Sequence, residues 1–169
     1  MESRAKLFGH AVHPILVMFP LGLLLISVLF DALRLITGDK KWGTVAFWNI
    51  VAGCIGGWIA MIPGAIDWWF IPPNTRAKRI ATLHAIAADG AINLFFFSWL
   101  ARRHNPDDPD QRALLCSALG AAVLGLVGWL GGELIERLGV AVSPGANLNA
   151  PSSLTQPELP TLRTDREVE

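Results

Sequence analysis

Four long apolar tracts, at residues 13–36, 42–66, 80–101 and 113–132, decide what this chain can become, and the second and fourth hold no charged residue at all. A bilayer hydrocarbon core takes roughly 20 helical residues to cross. In lipid, only a helix or a closed barrel satisfies its own backbone. Tracts of this length without alternation therefore predict four spanning helices joined by short loops: an all-α, up-down-up-down four-helix bundle embedded in a lipid bilayer. Charged residues make up 17% of the chain, against about 25% in soluble domains. The formal net charge is zero and no basic stripe exists, which excludes a nucleic-acid partner. Three parts are expected: an N-terminal segment 1–12, a membrane domain 13–142, and a Pro-, Ser- and Thr-rich tail 143–169 that reads as disordered.

Within the first tract, Pro14 suits a first helical turn and makes His13 the expected capping residue. Pro20 removes a backbone hydrogen bond, frees the Leu16 carbonyl and predicts a kink. Asp31 and Arg34 share a face near the far end and read as an interfacial ion pair. In the second tract Ala52, Gly56, Ala60 and Gly64 recur every fourth position, with Gly53 and Gly57 beside them, and this pattern predicts close helix packing. That helix is expected to end at Asp67-Trp68-Trp69, where indoles suit the headgroup level. The third tract carries His84, Asp89 and Asn93, which should face other helices rather than lipid, with Asn93 and Asn49 bonding across the second and third helices. Asp108-Pro109-Asp110-Gln111 reads as a capped start to the fourth helix, in which Gly128 and Gly132 stand at close-packing spacing. Cys54 and Cys116 read as small buried residues rather than a disulfide. Lys and Arg near the membrane are equally divided between its two sides, so orientation is left open.

Antiparallel spans would bring His10, His13, Asp67, Arg79, His84 and Glu133 to one rim, leaving His104 opposite. Imidazoles ligate transition metals and haem iron, and a carboxylate or carbonyl orients the second ring nitrogen. Two constellations are admissible: a b-type haem between His13 and His84, or a metal site drawing on His10, His13 and His84 with Asp67 or Glu133. The bland alternative makes these residues helix caps and interfacial hydrogen-bonders. Asp89, at mid-membrane depth, is a candidate for a proton relay or for a structural hydrogen bond between helices.

The run Gly9-His10-x-x-His13-Pro14 with Pro20, together with Asp31, the Gly64 to Asp67 helix end, His84, Gly131-Gly132 and Gly139-Val140, resembles a bacterial family of four-span membrane proteins, the domain of unknown function 2231. The resemblance covers roughly residues 7–142. It implies a four-helix membrane domain. Some members resemble membrane modules joined to Rieske-type or other redox domains, so it also implies electron transfer by association. The expectation is thus a small redox module of the bacterial inner membrane that binds b-type haem or a metal and passes electrons to a quinone or a partner protein. Its alternatives are a non-catalytic anchor or assembly subunit, which could be a homo-oligomer, and a small proton or metal transporter. No nucleophile and base pair marks it as an enzyme.

Overall fold

The computed structural model describes residues 1–155. Four helices, α1 (Val12–Thr37), α2 (Lys41–Phe70), α3 (Arg76–Arg102) and α4 (Gln111–Gly132), form the bundle, and a π-helical turn over Glu133–Arg137 continues α4. All four are long and apolar enough to cross a membrane, and large side chains such as Phe19, Ile62, Phe97 and Trp129 stand exposed around the outside. The molecule is an integral membrane bundle. Ahead of α1, β1 (Lys6–Leu7) and β2 (His10–Ala11) pair antiparallel across a two-residue turn, with Lys6 opposite Ala11 and Leu7 opposite His10. Residues 143–155 carry turns but no helix or strand, as the tail's composition predicts, and the rest of that tail lies outside the described residues.

Helix ends differ from the sequence expectation in instructive ways. Ala11, not His13, precedes the first turn of α1, without a side-chain cap, so the histidine ring is free to turn inward. Asp110, not Asp108, caps α4 by accepting from the Ala113 N–H at 2.9 Å, whereas Asp108 binds Arg34. α2 runs on through both Pro63 and Asp67 to Phe70, so Asp67 is a buried residue within the helix rather than its end. α3 starts two residues after Asn74, which takes a positive φ of 61°, and Thr75 caps it by accepting from the Lys78 N–H.

α1 packs chiefly on α2 and α3 on α4, while α2 with α3 and α1 with α4 close the ring, leaving α1 and α3 diagonal as a bundle of this connectivity requires. The buried positions repeat. Pro20, Leu24, Ser27 and Asp31 of α1 correspond to Ala91, Phe95, Ser98 and Arg102 of α3 at a constant spacing of 71 residues. In α2, Ala46, Ile50, Gly53, Gly57 and Ala60 correspond at another constant spacing to Ala113, Ser117, Gly120, Leu124 and Val127 of α4. The two helical hairpins are thus equivalent units related by an approximate two-fold rotation about the bundle axis. No internal repeat is expected from composition or hydropathy, which register only that four apolar tracts exist.

Packing follows from that duplication. A Cβ on Gly53 would fall 2.5 Å from Leu24 Cδ2, and one on its counterpart Gly120 would fall 2.8 Å from Phe95, the counterpart of Leu24. Each hairpin therefore seats one large α1 or α3 side chain against bare backbone of its following helix, the close approach that replaces hydrophobic driving force inside lipid. Gly56 admits Phe19 and Pro20, and Gly57 admits Ile92. The small stripe of α2 is a packing surface, as its spacing predicts. Gly128 and Gly132 are not: nothing lies within 4 Å of where their Cβ would be, and Gly120 and Gly131 make the close approaches of α4 instead.

Candidate functional site

At one end of the bundle His13 and His84, residues in equivalent places of the two hairpins, bring their rings to 6.3 Å between centres at an interplanar angle of 85°. Both are half-buried. His13 Nδ1 donates to the Ala60 carbonyl of α2 at 2.8 Å, and His84 Nδ1 donates to the Val127 carbonyl of α4 at 3.1 Å. Ala60 and Val127 are themselves counterparts. One turn further on, Gly64 and Gly131 leave the space: a Cβ on Gly64 would come within 2.9 Å of His13 Nδ1, and one on Gly131 within 3.4 Å of His84 Cε1. The same assembly of imidazole, carbonyl and glycine therefore occurs twice, facing across the approximate axis. Because a carbonyl only accepts, each Nδ1 carries a proton, and the Nε2 of each ring has no hydrogen-bond partner among the described residues.

The carboxylates expected nearby are engaged elsewhere. Asp67 accepts from Ser3 Oγ at 2.6 Å, from the Arg4 N–H at 2.7 Å and from the Ala5 N–H at 3.3 Å, so it fastens the N-terminal segment to α2. Glu133 pairs with Arg76 at the start of α3. His10 is exposed on β2, with Nε2 3.2 Å from Ser153 Oγ. His104 is exposed in the opposite loop and accepts from Arg103 Nε at 3.0 Å. Of the five residues expected in a metal site, the structure brings together only His13 and His84. Among the described residues no three His, Cys, Asp or Glu side chains form a metal-holding group. The two cysteines are unpaired thiols. At the same end the Lys6 ammonium beside Glu2 holds the Glu2 carboxyl below the usual carboxylate range.

The far end holds a cluster that sequence reasoning assigned differently. Asp31 does not pair with Arg34. It takes both arms of Arg102, at 2.7 and 2.9 Å, in a buried bidentate contact, while Arg34 turns to Asp108. Ser98 Oγ accepts from Arg102 at 2.9 Å, and Ser117 Oγ donates to Asp31 at 3.1 Å. Asp31 and Arg102 are symmetry counterparts, so a single opposite-charge pair occupies the place where a strictly repeated sequence would set two like charges face to face. Arg102 lies just beyond the third apolar tract, 80–101, and the structure makes it the last residue of α3. Its signal was the constant spacing to Asp31 and the serine four residues before each of them.

Asp89 and Asn93 depart most from expectation. Asp89 is exposed on the outer face at the middle of α3, with no side-chain partner among the described residues. Asn93 Nδ2 donates to the Asp89 backbone carbonyl at 2.9 Å, and Asn49 does the same to Val45 at 2.8 Å, so neither amide bridges two helices. Helical-wheel reasoning fixes the angle between residues but not which direction is the core. An aspartate at the centre of a span costs roughly 3 kcal/mol on insertion scales. The α1 counterparts, Met18 for Asp89 and Gly22 for Asn93, are also exposed and carry no polar side chain.

The family of predicted membrane proteins described as DUF2231 matches residues 9–144. The match takes in all four helices and both histidines of the facing pair, and the chain belongs to that family. No curated protein and no solved structure matches it.

Proposed function

We propose that this member of the DUF2231 membrane proteins is an anchor or assembly subunit, whose working surface is an outward helix face rather than a chemical centre within the bundle. The carrying observation is the division of its polar groups. Inside, ionisable side chains tie the chain to itself: His13 to α2, His84 to α4, Asp31 to Arg102, and Asp67 to the N-terminal segment. Outside, at mid-span, Asp89 is left with no side-chain partner among the described residues. A group so costly in lipid is accounted for when another helix covers it. The test transplants onto α3 what the equivalent face of α1 carries, Asp89→Met with Asn93→Gly. Extracted in native lipid nanodiscs, the wild-type chain should run in a larger assembly and the variant as a single chain of unchanged thermal stability. A wild-type chain that runs alone would refute the reading.

A second reading is favoured by one further observation, the two Nε2 atoms that have no hydrogen-bond partner among the described residues. Two imidazoles bound on opposite sides of one ion, with metal–nitrogen bonds of ~2 Å, have ring centres roughly 6 Å apart, close to the 6.3 Å found here. Nδ1–H donation to a backbone carbonyl is also the usual orienting contact of a ligating histidine. On this reading the chain is a small redox module holding a transition-metal ion or b-type haem iron and exchanging electrons with a quinone or a partner protein. Purified protein would then show stoichiometric metal, or a Soret band that shifts on reduction and disappears in His13→Ala and His84→Ala. Colourless, metal-free protein would remove this reading and leave the first intact.

A further inference from the structure

We propose that the outer face of α3 is the seam of a homodimer, in which a second copy of this chain lays the same face against it. This rests on the assembly reading and names its partner. The exposed residues Leu83, Ile86, Gly90 and Phe97, with half-exposed Asn93 between them, follow one another at alternating spacings of three and four. That spacing sets the five residues in one continuous row on the outer face of α3. At the centre of the row a Cβ on Gly90 would meet nothing within 4 Å among the described residues, so a second backbone can approach there. Asp89 flanks this opening and Asn93 lies one turn beyond it.

Self-complementarity selects a second copy over an unrelated helix. A two-fold interface sets each residue against its own image. Asn93 gives one N–H to the Asp89 carbonyl and keeps another N–H and its side-chain oxygen, so it donates to and accepts from the same residue of the second copy. A lone asparagine in an apolar seam fixes register and pair number in this way. Asp89, one turn before Asn93 on the same side of the row, is covered by the second copy instead of facing lipid. The first hairpin supplies the internal comparison. Its equivalent row, Ile15, Phe19, Gly22 and Ile26 with Met18 alongside, is exposed and wholly apolar. The fold therefore does not require polarity at this place. With only one of the two faces polar, association closes at two chains instead of growing into a chain of bundles.

Disulfide trapping in native membranes tests this on the full chain. In a background of Cys54→Ala and Cys116→Ala, single cysteines are placed on α3 (Ile86→Cys, Gly90→Cys, Phe97→Cys) and on the equivalent α1 row (Ile15→Cys, Phe19→Cys, Ile26→Cys). Mild oxidation should give a band of two chains from the α3 series and none from the α1 series. Adding Asp89→Met and Asn93→Gly to Ile86→Cys should abolish it. Thermal melting of each variant separates lost contact from lost folding, and any that melts early is replaced by a cysteine at the next residue of the row. Equal trapping from both faces overturns the proposal. Trapping of α3 to a different protein overturns the second copy while sparing the assembly reading, and folded variants whose α3 cysteines trap nothing overturn both.

Discussion

Exchanging the two charges at the far end of the bundle, Asp31→Arg with Arg102→Asp, tests the internal symmetry energetically. Arg102 is fully buried and grips Asp31 with both arms. Removing one partner leaves the other charge stranded, at a cost of about 3–5 kcal/mol. Arg102→Leu should therefore lower the folding equilibrium constant by roughly a hundredfold to a few thousandfold at 1.4 kcal/mol per decade. In the exchanged protein the arginine comes from α1, where Ser27 stands in for Ser98 and the Ala46 carbonyl for that of Ala113, so the bidentate pair re-forms across the same axis. One partner is lost: Ser117, which donates to Asp31 and lies 3.4 Å from Arg102, has Ile50 as its counterpart. The exchange should fall short of wild type by about 2 kcal/mol, the worth of one hydrogen bond to a charged group. Reversible unfolding in mixed micelles, followed by tryptophan fluorescence, measures all three proteins. Single substitutions costing under about 1 kcal/mol, the range of exposed pairs, would refute the buried-pair account. An exchange no more stable than Arg102→Leu would refute the symmetry.

Gly53→Ala should destabilise by about 1–3 kcal/mol, since its new methyl meets Leu24 at 2.5 Å, while Gly125→Ala, with open space around it, should be neutral or slightly stabilising in the same unfolding assay. Asp67→Ala removes the acceptor for Ser3, Arg4 and Ala5, so amide exchange at residues 3–5 should quicken markedly with the spans unaffected; unchanged exchange would show that the β-hairpin holds itself. His13→Ala and His84→Ala each delete one tie between helices of a hairpin and should each cost about 1 kcal/mol; being equivalent, they should cost alike, and a large inequality would mean that only one histidine does structural work.

The spans were legible because tracts of that length have few alternatives in lipid, and the Gly53, Gly56 and Gly57 surface of α2 because small residues at helical spacing have one main use there. The meeting of His13 and His84 followed from connectivity, which puts the ends of α1 and α3 on one side. What was hidden depends on direction. Asp67 was read as a helix end because two tryptophans follow it, but its carboxylate serves the N-terminal segment, and no local pattern records which distant backbone needs an acceptor. Arg102 looked like the first residue of a charged loop, yet its partner lies 71 residues away. That spacing was present in the sequence all along, in His13 with His84 and Ser27 with Ser98, but buried residues had to be known before the matches stood out from apolar background. Asp89 was turned inward by the rule that lipid rejects carboxylates, and the rule holds if the covering helix belongs to another chain.

Native mass spectrometry of the protein released from lipid nanodiscs weighs the central claim in one spectrum, since it counts chains and reveals any bound cofactor together. The account predicts two chains of 18.3 kDa each with no added haem or metal, separating to one chain in the Asp89→Met, Asn93→Gly variant. A single chain, or any assembly carrying a stoichiometric haem or metal ion lost in His84→Ala, would contradict it.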